Sequence, residues 1–94
     1  MKFLHTMIRV KDAEKSVKFY TELLNMTLDK QKRLEDCELY FLNDEDGVCQ
    51  IELTQNDETP AEGYDLGTGF GHFAFSVKSL DEFSEKLHRL GYEY

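Results

Sequence analysis

Gly69-Phe70-Gly71-His72-Phe73-Ala74-Phe75-Ser76-Val77 repeats, 67 residues on, a pattern that the chain has already used at its N-terminus. There His5, Val10 and Asp12 open a strand and lead into a helix; His72, Val77 and Ser79 hold the same three places in the second copy. The helix that follows is expected to end at Asn25 in one copy and at Gly91 in the other. Recurrence over this length marks a supersecondary unit used twice. The first copy continues through further strands that include an acid, Glu52, within Val48-Cys49-Gln50-Ile51-Glu52-Leu53-Thr54; at the same offset its counterpart would fall beyond Tyr94. The expected organisation is α+β. Residues 1–56 form a complete βαβββ module, 57–69 a linker, and 70–94 the start of a second module that is incomplete at its C-terminus.

Ninety-four residues make one small domain, and a chain of that size buries only roughly 60 to 65% of its unfolded surface, so a partner is expected to add stability. The net charge of -8, from 19 acidic against 11 basic residues, argues against nucleic acid, because neutralising a phosphate backbone needs clustered Lys and Arg. It also disfavours an anionic membrane surface. No apolar run approaches the roughly 20 residues of a bilayer span, and no basic segment leads into a cleavable hydrophobic stretch. A cytoplasmic protein is expected. Cys37 and Cys49 are spaced for neither a zinc knuckle nor a CxxC redox pair, and both are expected to be reduced core thiols.

Phe3 to Val10 alternates as a strand does, with Leu4, Thr6, Ile8 and Val10 on one face and Phe3, His5, Met7 and Arg9 on the other. His5 and Arg9 then point the same way about 13 Å apart. Asp12 is a good N-cap, and Ala13, Val17, Tyr20 and Leu24 make the apolar stripe of a helix closed by Asn25. Met26 to Lys32 reads as a weak strand. Cys37 to Leu42 and Gly47 to Thr54 are strands flanking a polar hairpin loop that ends in Gly47. In the second of them Cys49, Ile51 and Leu53 are expected to pack on the helix, leaving Gln50, Glu52 and Thr54 on the face that carries His5. Phe73, Phe75 and Val77 are expected to form the core face of a further strand, with His72 on its other face. Ser79 and Glu82 form a capping box for a helix with the stripe Leu80, Phe83, Leu87 and Leu90, ended by Gly91.

Imidazoles and a carboxylate projecting from different strands into one concavity suit a divalent ion such as Zn, Ni, Co or Mn. Spacing alone leaves other readings open. A strand histidine is more often a hydrogen-bonded interior group, Glu52 also reads as an exposed strand carboxylate, and Arg9 as a surface residue paired with a neighbouring acid. His5 and His72 gain weight as a metal pair because the repeat makes them equivalent.

The strings Leu4-His5-Thr6-Met7-Ile8-Arg9-Val10-Lys11-Asp12, Lys18-Phe19-Tyr20-Thr21, Ile51-Glu52-Leu53-Thr54-Gln55-Asn56 and Tyr64-Asp65-Leu66-Gly67-Thr68-Gly69-Phe70-Gly71-His72 closely resemble glyoxalase I (lactoylglutathione lyase) of the vicinal-oxygen-chelate superfamily. The resemblance runs over essentially the whole chain. It implies a glyoxalase/bleomycin-resistance fold in which His5 and Glu52 are metal ligands from one module and His72 from another. A glutamate late in the second module would be the fourth ligand and main catalytic base, with Glu52 as the second acid/base. Arg9 and Asn56 would hold the glutamyl part of glutathione. Compact bacterial members are dimers with sites between subunits, and many prefer nickel, so Ni2+ is favoured here over Co2+ or Zn2+. Where the animal enzymes carry a glutathione-binding arginine this chain has Thr68, so that contact is not expected.

The activity so implied is isomerisation of the hemithioacetal of methylglyoxal and glutathione to S-lactoylglutathione by a homodimer. The 94 residues alone are expected to turn over weakly or not at all unless another polypeptide supplies the fourth group. The competing class is a metal-free member of the same superfamily that sequesters a small molecule in a dimeric cleft. Such a protein needs no ligand set.

Overall fold

Five residues of alternating burial form the first strand, β1 (His5–Arg9), in which Thr6 and Ile8 turn inward and His5, Met7 and Arg9 outward. The computed structural model describes residues 1–93. After β1, Asp12 takes an extended backbone and its carboxylate accepts the Lys15 N–H at 3.1 Å, starting α1 (Ala13–Lys18). A cap of this kind satisfies one of the first-turn donors that a helix cannot pair internally. The Ala13 N–H is taken from outside the helix, by Gln55 Oε1 at 2.6 Å.

The sequence predicts one α-helix up to Asn25, and here the structure differs. α1 gives way to a π-helical turn over Phe19–Leu23. Thr21 Oγ1 donates to the Val17 carbonyl at 2.8 Å, a side-chain bond of the kind that competes with the helix ladder. The wider turn rotates Leu23, outside the expected stripe, into the interior, where it is 3% exposed. Asn25 closes the turn with φ 57, and the Met26 N–H reaches back to the Tyr20 carbonyl at 3.0 Å. The expectation of a left-handed Asn25 holds.

Three strands follow: β2 (Thr27–Arg33), β3 (Cys37–Asn43) and β4 (Gln50–Asn56). They and β1 form one sheet in the order β1-β4-β3-β2. β1 runs parallel to β4 with Met7 opposite Glu52, whereas β4, β3 and β2 are antiparallel neighbours with Glu52 opposite Phe41 and Phe41 opposite Lys30. Because paired residues point to the same side of a sheet, this register divides the side chains cleanly. Ile8, Leu53, Ile51 and Leu42 face the helix and, with Met26, Val17, Tyr20, Leu24 and Phe73, make the core. Leu42 and Leu53 are fully buried, each worth about 1.5–3 kcal/mol of apolar transfer.

Two expectations about packing are corrected. Cys49 does not join Ile51 and Leu53 on the helix side: it precedes β4, is exposed, and is a free thiol, whereas Cys37 is free and buried. The Asp44 carboxylate accepts the Val48 N–H at 3.0 Å and the Asp44 N–H donates to the Cys49 carbonyl at 3.1 Å, so Cys49 is still part of the turn and the strand begins at Gln50. The strand expected at Phe73, Phe75 and Val77 is not formed either, since none of β1 to β4 runs beside residues 70–78. An extended segment with no neighbour has no ladder to join. The helix after it is as expected: α2 (Leu80–Leu90) starts on Ser79, whose hydroxyl accepts the Glu82 N–H, and ends at a left-handed Gly91. No described helix is long and apolar enough to cross a membrane.

Candidate functional site

The face of the sheet away from α1 carries four of the five candidate residues, His5, Arg9, Glu52 and Asn56. Alternation along β1 and β4, with the parallel register between them, puts His5, Met7 and Arg9 beside Gln50, Glu52 and Thr54. Asn56, at the end of β4, falls on the same side by the same alternation. His5 Nε2 lies 3.1 Å from Glu52 Oε1, with the imidazole 39% and the carboxylate side chain 13% exposed. The second oxygen, Glu52 Oε2, accepts the hydroxyl of Thr54 at 3.2 Å, and Thr54 is itself buried. The imidazole stands edge-on to the Phe41 ring, centroids 5.7 Å apart. Glu52 and His5 are therefore each held from a second side.

This pair suits a divalent ion by its geometry and its donor types. Two ligand atoms each about 2.1 Å from one ion in tetrahedral or octahedral arrangement are roughly 3.0–3.4 Å apart, and the nitrogen and oxygen already stand 3.1 Å from each other. A borderline ion takes exactly such mixed imidazole and carboxylate donors.

His72 is not part of this cluster. It is exposed, in the segment before α2, and borders an open cleft of about 550 Å³ with Thr6, Ile51 and Phe73. Those neighbours belong to the helix side of the sheet, so within one chain His72 and the His5–Glu52 pair are on opposite sides. Among the described residues no three His, Cys, Asp or Glu side chains converge to hold a metal. Arg9 is exposed two residues along β1 from Met7, and Asn56 is half-buried opposite Cys37.

Thr54, which alternation places on this face, braces Glu52. Two contributors were not singled out from sequence: Phe41 braces His5, and Lys30 lies over Phe41 with its ammonium 4.7 Å from the ring centroid. Nothing in the sequence points to Lys30, because its orientation follows from a register shift between Leu28 and Lys30.

The model of the Glyoxalase/Bleomycin resistance protein/Dioxygenase superfamily matches residues 2–94. A probable lactoylglutathione lyase of Synechocystis sp. is 40% identical over 97% of this chain and 71% of its own length. The lactoylglutathione lyase of Neisseria meningitidis serogroup A is 40% identical over 97% of this chain and 67% of its own. Among solved structures, the trypanothione-dependent glyoxalase I of Leishmania major superposes with a TM-score of 0.82 at 32% identity, over 97% of this chain and 67% of the other. The four-stranded mixed sheet with its two helices matches the fold of these proteins, and the chain belongs to the Glyoxalase/Bleomycin resistance protein/Dioxygenase superfamily.

Proposed function

We propose that this chain is a metal-dependent glyoxalase I, isomerising the hemithioacetal of methylglyoxal and glutathione to S-lactoylglutathione, in a cytoplasmic homodimer. The observation that carries the reading is the 3.1 Å approach of His5 Nε2 and Glu52 Oε1 from neighbouring parallel strands, in a chain 40% identical to lactoylglutathione lyases. The ion is divalent, with nickel favoured over cobalt or zinc. His5 and Glu52 hold it from one protomer and His72 from the other. The position of His72 on the far side of its own sheet supports a site shared between copies, as does the outer edge of β1, which pairs with no strand among the described residues.

When bound, the ion supplies Lewis-acid polarisation of the adjacent oxygens of the substrate. Glu52 would act as the second acid/base beside a main base supplied by a glutamate late in the second module; Thr54 keeps one of the Glu52 oxygens occupied and so fixes the lone pairs that remain. Arg9 takes the glutamyl carboxylate of the thiol by a charge-assisted bond and Asn56 orients its polar groups.

The test is nickel titration of the purified chain, followed by an assay for S-lactoylglutathione. About one ion per protomer, lost in H5A and in E52Q, supports the reading. A protein that binds S-alkylglutathione with no ion, unchanged by H5A, would instead be a metal-free sequestering member of the superfamily.

A further inference from the structure

The site face is basic in an acidic protein. The chain carries a net charge of -8, yet Arg9, Lys30 and Lys32 all lie on the face that bears Glu52, by the registers Arg9 to Thr54, Lys30 to Phe41 and Lys32 to Leu39. Among the described residues none of the three forms an ion pair. Asp29, the acid nearest to Lys30 in sequence, accepts from Gln50 Nε2 at 2.9 Å instead. Cations left unpaired beside a candidate catalytic centre are positioned to meet an anionic ligand.

Lys30 is the one of these whose position the fold dictates most closely. The register shift between Leu28 and Lys30 brings Lys30, rather than Asp29, opposite Phe41, and bulges of this kind re-aim side chains beside functional sites. Met7, Glu52, Phe41 and Lys30 then form one lateral row across all four strands. Phe41, only 8% exposed, carries the His5 ring at its edge and the Lys30 ammonium 4.7 Å from its centroid. The ring attracts the cation without neutralising it, leaving the ammonium pre-placed and available to a carboxylate. With strands about 4.8 Å apart and residues rising about 3.3 Å, the Cα atoms of Lys30 and Arg9 are roughly 16 Å apart, diagonally across Glu52. A tripeptide spans at most about 11 Å, and the long side chains of Arg and Lys reach inward to close the difference.

We propose that Lys30 is a specificity-determining residue of this site: its ammonium, held over Phe41, takes the second carboxylate of a thiol-peptide adduct whose first carboxylate is taken by Arg9. The substrate class is thereby narrowed to adducts of dicarboxylate thiols, and the inference rests on the function proposed above.

Binding of S-hexylglutathione and of its glycyl monoethyl ester to the full chain is measured by calorimetry for the wild type, K30Q, K30R and K18Q. The wild type is expected to bind the free acid about tenfold more tightly than the ester, the value of one charge-assisted hydrogen bond. K30Q loses that discrimination by weakening the free acid alone, and K30R keeps it. K18Q, which makes the same charge change on an exposed position of α1 across the sheet, also keeps it. A K30Q protein that still prefers the free acid, or a wild type that binds both alike, overturns the role of Lys30 and leaves the proposed function standing. A wild type that binds neither ligand overturns both.

Discussion

Thr54 donates its hydroxyl to Glu52 Oε2 from a position 5% exposed, and the consequence is testable because valine has the same shape without the donor. T54V is expected to lower nickel affinity about tenfold or more, the usual effect of removing a partner behind a metal ligand, while T54S retains it. Nickel titration separates the outcomes, and equal affinity in T54V and wild type would reduce Thr54 to packing. The thiols differ in the same local way. Burial, with Asp36 beside it, pushes the Cys37 thiol up from its ordinary value, so it stays protonated and covered, whereas Cys49 is exposed. Brief treatment of the native protein with iodoacetamide is expected to modify Cys49 and leave Cys37 intact, as read by peptide mass. Modification of Cys37 at the same rate would show that β3 opens readily.

At the scale of elements, Gln55 joins β4 to α1 through the Ala13 N–H, which is buried. Q55L leaves that donor without a partner and is expected to cost about 1–3 kcal/mol in urea unfolding, while Q55E keeps an acceptor and stays near wild type. The end of β2 is tied to the residue after β4 by Arg33 and Asp57, whose two guanidinium nitrogens and two carboxylate oxygens pair, one contact at 2.7 Å. The hydrogen bond from Arg33 holds the Asp57 carboxyl below its ordinary value. A depressed folded value means that the pair stabilises above the ordinary carboxylate range, near pH 4, and that this contribution disappears as pH falls through the lower folded value. D57N is therefore expected to be less stable than wild type at about pH 7, by a small amount because the pair is half-exposed, and to converge with it at about pH 2. A difference that persists in acid would point to the geometry of residues 56–58 rather than to charge.

Much of this was legible from residue order because two periodicities agree. Alternation in β1 and β4 fixes which of His5, Arg9, Glu52 and Asn56 share a face, and Asp12, Asn25, Ser79 and Gly91 bound the helical stretches where their chemistry says they should. What was not legible depends on bonds that carry no period. Thr21 widens the turn that brings Leu23 inside, Asp44 holds the loop that leaves Cys49 exposed, and the shift in β2 turns Lys30 onto the site. The repeat at His72 reads as a strand only if a neighbour is at hand to pair with it.

At the scale of the whole molecule, several of the exposed apolar side chains lie in and just after the segment that found no strand to pair with. Phe70, Phe75, Val77 and Leu80 are between 42% and 79% exposed, and α2 has no buried residue. Apolar surface of this extent is the usual mark of an interface. A two-fold dimer would let each copy cover the other while His72 of one meets His5 and Glu52 of its partner. The decisive measurement is nickel binding by a mixture of H5A and H72A chains, unfolded together and refolded. Each variant alone is expected to bind no ion. Random pairing gives half mixed dimers, each with one intact site, so roughly a quarter of the wild-type capacity should return. No recovery on mixing, with the refolded dimer intact by sedimentation, would contradict a site built from His5 and Glu52 of one chain and His72 of another.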